Sequence, residues 1–375
     1  MRFNRAVDAQ HRRIALLLQH GGDGGVERCF INLARGFVER GIATDLLIAE
    51  RNTPFLGHLD PQVRLIHMPV AGSSSPRALA NYIDQQQPQI LLAAKDEDCK
   101  LAITARTLSP RPRICLCASV NYSAQLAGHG KGPLRRWLRY KRLRQMFNQA
   151  DTLICVSAGV AADLAMILGK RQQDLHVLPN PVVTPELTKL AKEPVHHPWF
   201  AEPHPPVILG VGRLGRIKNF SLLLRAFAVV HQQCEARLII LGEGRQRAQL
   251  TSLATQLGMA EAVDLPGFVE NPLAFMARAA VFVLSSRWEG FGNVLVEALA
   301  CGTPAVATDC PSGPAEILQA GKIGSLVPVD DPAALSKAIL SCLANPPQPE
   351  TLRQAALRYS LENSCEAYLR VFESG

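Results

Sequence analysis

Two glutamates eight positions apart hold the densest chemistry in the 375-residue chain, in the run Glu289-Gly-Phe-Gly-Asn-Val-Leu-Val-Glu297. The run follows an apolar stretch at 281–285 and opens a helical pattern at 293–300. Gly290 and Gly292 flank Phe291 at the turn, where glycine lets backbone come close to a ligand. The first-turn amides of Asn293 and Val294 then lie at the positive end of the helix dipole, an arrangement suited to a diphosphate. Glu289 stands on the loop before that helix and Glu297 about one turn inside it, so one carboxylate can reach a sugar and the other a ribose diol. Plain exposed glutamates at a helix start would look alike one at a time. The strand–turn–helix context and the two glycines favour the chemical reading.

A second cluster is Gly212-Arg213-Leu-Gly-Arg-Ile-Lys218-Asn219, directly after the apolar run 207–212. Arg213 and Lys218 are spaced to converge on one anion and to stabilise charge on a departing diphosphate; Arg216 reads as solvated. The alternative is a solvated basic loop. A third cluster, His20-Gly-Gly-Asp-Gly-Gly25-Val-Glu-Arg, follows the first apolar run, and Gly24 and Gly25 would let backbone approach an anion. Its spacing fits neither G-x-G-x-x-G nor the P-loop pattern. A flexible turn is its other reading. Gly242-Glu243-Gly244 carries Arg247 where a dinucleotide fingerprint needs its third glycine, and reads as a tight turn.

These loops need strands behind them. Short aliphatic and β-branched runs fall at 14–18, 44–49, 63–67, 89–93, 113–118, 152–156 and 175–178, then at 207–212, 237–242, 263–265, 281–285, 304–308 and 325–328. Helical patterns such as 27–40 and 220–233 separate them. Alternation of this kind predicts an α/β chain with parallel sheets covered on both faces. Its length suits two domains, and eight prolines between 179 and 206 mark a linker. The expected architecture is two doubly wound, Rossmann-like domains facing a cleft, with ligands beyond the carboxyl ends of the strands.

Composition narrows the class. The apolar run at 14–18 is far short of the ~18 residues of a membrane span, and no cleavage pattern of a signal peptide accompanies Arg12 and Arg13. Ten scattered cysteines include no C-x-x-C pair, which argues against a zinc ribbon or a redox motif and for a reducing cytoplasm. Net charge is +8, yet residues 1–182 hold 24 Lys and Arg against 14 Asp and Glu, while residues 183–375 hold 16 against 18. The positive excess therefore lies in the first half and attracts an anionic partner.

From these motifs the chain resembles the GT-B-fold retaining glycosyltransferases of the bacterial "group 1", family four, class. GGVERCFINLARGFVERG, VLPNPV, GVGRLGRIKNFSLLLRAF, LPGFVENP and SSRWEGFGNVLVEALACGTPAVATDCPSGPAEIL carry the resemblance, densely in the second half and in patches in the first. It implies an acceptor-binding domain at 1–183 and a donor-binding domain at 184–351. A last helix, about 352–375, would pack back on the first domain. Arg213 and Lys218 would hold the donor diphosphate, Glu289 the transferred sugar, Asn293 and Val294 the phosphates, and Glu297 the ribose. Phe291 and Gly292 form the turn. Gly24 and Gly25 would approach the diphosphate, and Gly267 and Phe268 would lie near the base. No metal and no cofactor beyond the nucleotide-sugar substrate, UDP-linked, is implied. The histidine that many relatives place beside the sugar is missing. The corresponding region, Cys117-Ala-Ser119-Val-Asn121-Tyr122-Ser, has no histidine before His129, which leaves Ser119, Asn121 and His129, or none of them, for that position.

Residues 131–144 carry Lys131, Arg135, Arg136, Arg139, Lys141, Arg142 and Arg144 and no acid, interleaved with Leu134, Trp137, Leu138 and Tyr140. A basic amphipathic helix suits the anionic cytoplasmic face of the inner membrane and a glycan or lipid-linked acceptor. A packed helix with a solvated basic face is the competing reading. No nucleic-acid-binding motif accompanies the patch. Two other functions share the expected architecture: a sugar-nucleotide 2-epimerase of the same fold and a non-catalytic nucleotide-sugar-binding protein. A nicotinamide enzyme would need the true fingerprint with an acid ~20 residues on, which is absent.

Overall fold

The computed structural model describes residues 13–19, 24–49, 56–57, 59–68, 75–128, 130, 132–201 and 204–374. The chain divides into two compact units, Met1–Val182 with Leu361–Gly375, and Val183–Ser360.

The first unit is built on strands β1 (Arg13–Leu17), β2 (Ala43–Ile48), β3 (Arg64–His67), β4 (Ile90–Ala93), β5 (Arg113–Ala118), β6 (Thr152–Cys155) and β7 (His176–Val177). They form one parallel sheet in the order β3-β2-β1-β4-β5-β6-β7. Leu16 pairs with Leu46 on one side and Leu92 on the other, and all three are fully buried. That explains why the strands read as continuous apolar runs rather than alternating ones: helices cover both faces. The second unit repeats the plan with β8 (Val207–Val211), β9 (Arg237–Leu241), β10 (Val263–Gly267), β11 (Val281–Leu284), β12 (Ala305–Thr308) and β13 (Ser325–Val327), in the order β10-β9-β8-β11-β12-β13. In each sheet the order reverses beside the first strand, between β1 and β4 and between β8 and β11. Doubly wound sheets bind ligands outside the strand ends at such a point.

Two features of the domain plan differ from the sequence expectation. The proline-rich stretch expected as a linker is folded onto the second unit. Asn271 donates to the Leu190 carbonyl at 2.9 Å and to Glu193 at 2.7 Å. The ring of His197 takes the Trp199 amide on Nδ1, which leaves Nε2 to donate to Asp264 at 2.9 Å. The expected last helix is two helices. Pro349–Ala356 stays with the second unit, where Arg353 donates to the carbonyl of Cys301 at the end of the helix Asn293–Cys301. After a short turn the chain enters the first unit as Leu361–Glu373, packed on the helix Gly25–Val38. A side chain at Gly36 would collide with Cys365 and Leu361, so glycine sets that close approach. All ten cysteines are free and nine are buried, as small apolar side chains.

Candidate functional site

The switch point of the second sheet brings together the loop after β8 and the loop after β11. Lys218 comes from the first and Glu289 from the second, and Lys218 Nζ donates to Glu289 Oε1 at 2.6 Å. Both side chains are largely withdrawn from solvent, at 19% and 12% exposure. Two further bonds lace these loops, and a third ties Glu289 to the loop after β12. Ser285 Oγ donates to the Lys218 carbonyl at 2.8 Å, the Arg287 amide donates to the Ile217 carbonyl at 2.8 Å, and the Glu289 amide donates to the Pro311 carbonyl at 3.2 Å. The stem of Lys218 lies against Gly212, where a Cβ would come within 2.9 Å of its Cε. Asp330 accepts from Asn219 at 2.7 Å and from Arg287, whose guanidinium holds its carboxyl below the usual range. Arg213 shares the β8 loop, but its side chain is exposed beside the buried Leu214.

Gly292 enters the following helix, Asn293–Cys301, at φ 107°, and no side chain caps it. Its first turn, with Asn293 and Val294, therefore places a helix N-terminus at the same strand ends as Lys218 and Glu289. Glu297 is 2% exposed, about one turn in. The sequence places Phe291 in the turn of the expected donor site. It is buried and packs edge-on against Tyr359, centroids 5.0 Å apart, because its aromatic surface finds a partner inside the unit. Its carbonyl lies so close to Gly313 that any side chain there would collide with it. On the other side of the sheet, Gly267 at φ 100° accepts from the Gly242 amide at 2.7 Å and leaves Phe268 53% exposed.

Sequence reasoning missed a second polar group at the switch point of the first sheet. Lys95, just after β4, donates to Glu27 Oε1 at 2.5 Å, and Glu27 sits in the first turn of the helix Gly25–Val38. Asp98 is fully buried and accepts the Gln19 amide at 3.2 Å. Burial pushes its carboxyl up to about 7, against the pull of the Gln19 bond and of Lys95. Gly24 precedes Glu27 closely enough that a Cβ would lie 2.9 Å from Oε2, and Gly25 is the first helical residue. The signal was the charged run 95–98 closing an apolar strand, but only the sheet order places it beside β1. His20 to Asp23 lie outside the described residues.

Asn121, one of the residues left open for the sugar-side position, is buried, and its side-chain oxygen accepts the Ala124 amide at 2.9 Å as the cap of the helix Tyr122–Gly128. His129 and Lys131 lie outside the described residues. The basic stretch forms the helix Pro133–Phe147, seated by Leu143 and Phe147 alone among its fully buried residues. Arg139 leaves the solvent-facing set, since it pairs with Asp96, which also accepts from Tyr122 at 2.9 Å. Arg144 is spent on the Ile167 carbonyl. Arg135, Arg136, Lys141 and Arg142 are exposed and make no ion pair among the described residues, beside Leu134 and Trp137 at 69% and 55% exposure. Among the described residues no helix is long and apolar enough to cross a membrane.

Two doubly wound parallel sheets with this loop chemistry define the GT-B architecture of nucleotide-sugar enzymes. Residues 192–359 match the family described as glycosyl transferases group 1, and residues 23–186 match glycosyltransferase family 4; the chain belongs to these glycosyltransferases. It is 27% identical over 361 residues to the lipopolysaccharide core biosynthesis glycosyltransferase LpsE of Rhizobium meliloti, covering 94% of this chain and 97% of that one. It is 32% identical over 210 residues to a Campylobacter jejuni N-acetylgalactosamine-N,N'-diacetylbacillosaminyl-diphospho-undecaprenol 4-alpha-N-acetylgalactosaminyltransferase. That match spans 56% of this chain and only about half, 54%, of the relative. Among solved structures, HepE of Anabaena in complex with UDP and glucose shares the fold at TM-score 0.78 and 20% identity, over 97% of this chain and 100% of that one.

Proposed function

We propose that the chain transfers a sugar, with retention of anomeric configuration, from a nucleoside-diphosphate donor, UDP-linked, to a glycan or lipid-linked acceptor of cell-surface polysaccharide or lipopolysaccharide. The observation that carries the proposal is the Lys218–Glu289 pair beside the N-terminus of the helix Asn293–Cys301 at the switch point of the second sheet. HepE, crystallised with UDP and glucose, and LpsE and the C. jejuni transferase, named for lipopolysaccharide core and diphospho-undecaprenol-linked glycans, support the donor and acceptor classes.

In this reading the second unit handles the donor and the first the acceptor. Lys218 gives one N–H to Glu289 and keeps two donors for the diphosphate. With Arg213 and the amides of Asn293 and Val294 it stabilises the negative charge that grows as the bond from the sugar C1 to the phosphate oxygen breaks. The electron pair leaves with that oxygen. The acceptor hydroxyl oxygen then bonds to C1 from the same face, and its proton passes to the departing phosphate. Glu289 accepts a hydrogen bond from a hydroxyl of the transferred sugar, and Glu297 holds the ribose. These cations and amides do the work that a divalent metal ion does elsewhere, so a chelator should leave the rate unchanged.

Glu289→Ala should lower transfer by about 10²–10³-fold with the circular-dichroism spectrum preserved; full activity in that variant refutes the assignment. We extend the proposal to the cytoplasmic face of the inner membrane, since Arg135, Arg136, Lys141 and Arg142 are exposed without ion-pair partners among the described residues, beside Leu134 and Trp137. At about 1 kcal/mol per basic residue near an anionic surface, replacing all four with glutamine should abolish co-sedimentation with phosphatidylglycerol vesicles. Unchanged pelleting ends that part of the proposal.

A further inference from the structure

We propose that Ser286 is a positioning residue for Glu289, holding one carboxylate oxygen so that the other is presented to the donor sugar; the inference rests on the donor-site reading above. Ser286 is fully buried, and its Oγ donates to Glu289 Oε1 at 2.6 Å. Lys218 Nζ reaches the same oxygen at the same distance. No described residue donates to Oε2 of Glu289. The split is therefore sharp: two short charge-assisted bonds saturate one oxygen, and the other has its lone pairs open.

The terminal torsion of a glutamate is soft and roughly two-fold, so an unrestrained carboxylate presents either oxygen in a range of orientations. Here the two donors approach from different loops, Lys218 from the β8 side and Ser286 from the β11 side, which fixes the carboxylate plane. Ser286 is itself anchored. Its carbonyl accepts from Thr308 Oγ1 at 2.5 Å, and the same hydroxyl donates to the Leu284 carbonyl at 3.3 Å. Thr308 is fully buried at the end of β12. Three strand ends thus aim one oxygen. A carboxylate held in this way is ready to accept from a sugar hydroxyl without reorganising, which is how a fixed geometry strengthens a contact. The Ser286 hydroxyl touches neither the diphosphate-holding amides nor the ribose-side Glu297, so its effect should be confined to the sugar.

The test compares two probes, UDP and UDP-glucose, by isothermal titration on wild type, Ser286→Ala and Ser286→Cys. Wild type should bind UDP-glucose more tightly than UDP. Ser286→Ala should reduce that gain by about tenfold, the worth of one hydrogen bond to a charged group, while UDP affinity stays within about twofold. Ser286→Cys keeps the side-chain shape with a larger atom, donates weakly and should fall between the two. Both variants leave the Thr308 bonds to backbone in place. A gain kept in full by Ser286→Ala overturns the inference, and so does an equal loss for UDP and UDP-glucose, which marks a merely structural serine. Wild type that binds UDP-glucose no better than UDP overturns the assignment of the open oxygen to the sugar. Wild type that binds neither probe overturns the donor-site reading itself, a failure seen before any variant is made.

Discussion

Replacing Asp98 with asparagine should make the protein more stable above neutral pH and change its pH dependence in a calculable way. Asp98 is fully buried, and burial pushes its carboxyl from the ordinary 3.8 up to about 7. Between those values the folded protein holds a proton that the unfolded chain has released. Stability contributed by this group is therefore highest below pH 4 and falls as pH rises toward 7. Above 7 the full penalty of a buried charge is in place. A shift of this size at 1.36 kcal/mol per pH unit is worth about 4 kcal/mol, of which about 2.5 kcal/mol develops between pH 5 and pH 8. The replacement amide does not titrate, and its side-chain oxygen can still accept the Gln19 amide. Burying the new NH2 group adds a cost, but one that does not vary with pH. Lys95, Glu97 and Glu27, whose charges act on Asp98, already count in its raised value, and their action on it disappears with the charge in Asp98→Asn. The assay is urea unfolding at pH 5 and pH 8, with the stability of Asp98→Asn minus that of wild type taken at each. The difference should grow by about 2.5 kcal/mol toward pH 8. A difference that stays flat, or that shrinks with rising pH, refutes the burial argument.

Two further substitutions probe the turn that carries Glu289. Gly313 stands at φ 97°, a region that costs alanine about 1–2 kcal/mol, and a methyl there would run into the Phe291 carbonyl. Gly313→Ala should therefore lower the thermal midpoint and weaken UDP binding by more than about tenfold; calorimetry and titration check both, and unchanged UDP affinity would show that this contact does not shape the site. The Tyr359 hydroxyl is buried without a hydrogen-bond partner among the described residues, and burial pushes its ionisation up to about 12. Tyr359→Phe should then stabilise the protein by about 1 kcal/mol, since an unsatisfied buried hydroxyl is removed and the ring kept on Phe291. Tyr359→Leu forfeits the aromatic pair and should be less stable than wild type. Urea midpoints rank the three, and a Phe variant weaker than wild type by about 1 kcal/mol contradicts the account.

The strands were legible because a parallel sheet covered on both faces writes itself as short apolar runs. β5 at Arg113–Ala118 and the helix Phe220–Gln233 fall where the sequence puts them, and most other elements shift by one to three residues. At β8 and β9 the expected final glycine, Gly212 or Gly242, belongs to the loop. Both take positive φ and leave the strand geometry there. What the sequence withheld was sheet order. Nothing in residues 95–98 says that they lie across from the helix start at Glu27, since that follows only from β4 pairing with β1. The same holds for Phe291, whose partner Tyr359 is 68 positions away. Ser286 was invisible for a different reason: a serine in the loop after an apolar strand carries no sign of which side chain its hydroxyl will meet. Lys218 and Glu289 were found because glycines and apolar runs framed them, and the family resemblance gave them roles.

The two lysine–carboxylate pairs, Lys218 with Glu289 and Lys95 with Glu27, occupy corresponding places, at the switch point of each sheet. Neither is a natural choice for stability. Withdrawing both charges from water costs several kcal/mol per ion, and apolar residues of similar volume would serve a fold equally well or better. Elsewhere the interior makes that apolar choice at position after position, as the fully buried Leu16, Leu46, Leu92, Leu209 and Ile239 attest. At the strand ends where a doubly wound sheet meets its ligand, charge is kept in these two pairs; Asp45 within β2 keeps it too, paired with Arg13 and Arg64. In the second unit that retention coincides with the start of the helix Asn293–Cys301 and a carboxylate with one oxygen to which no described residue donates; in the proposed reading, the cost of burying Lys218 and Glu289 is offset by what they do to a bound phosphate and sugar.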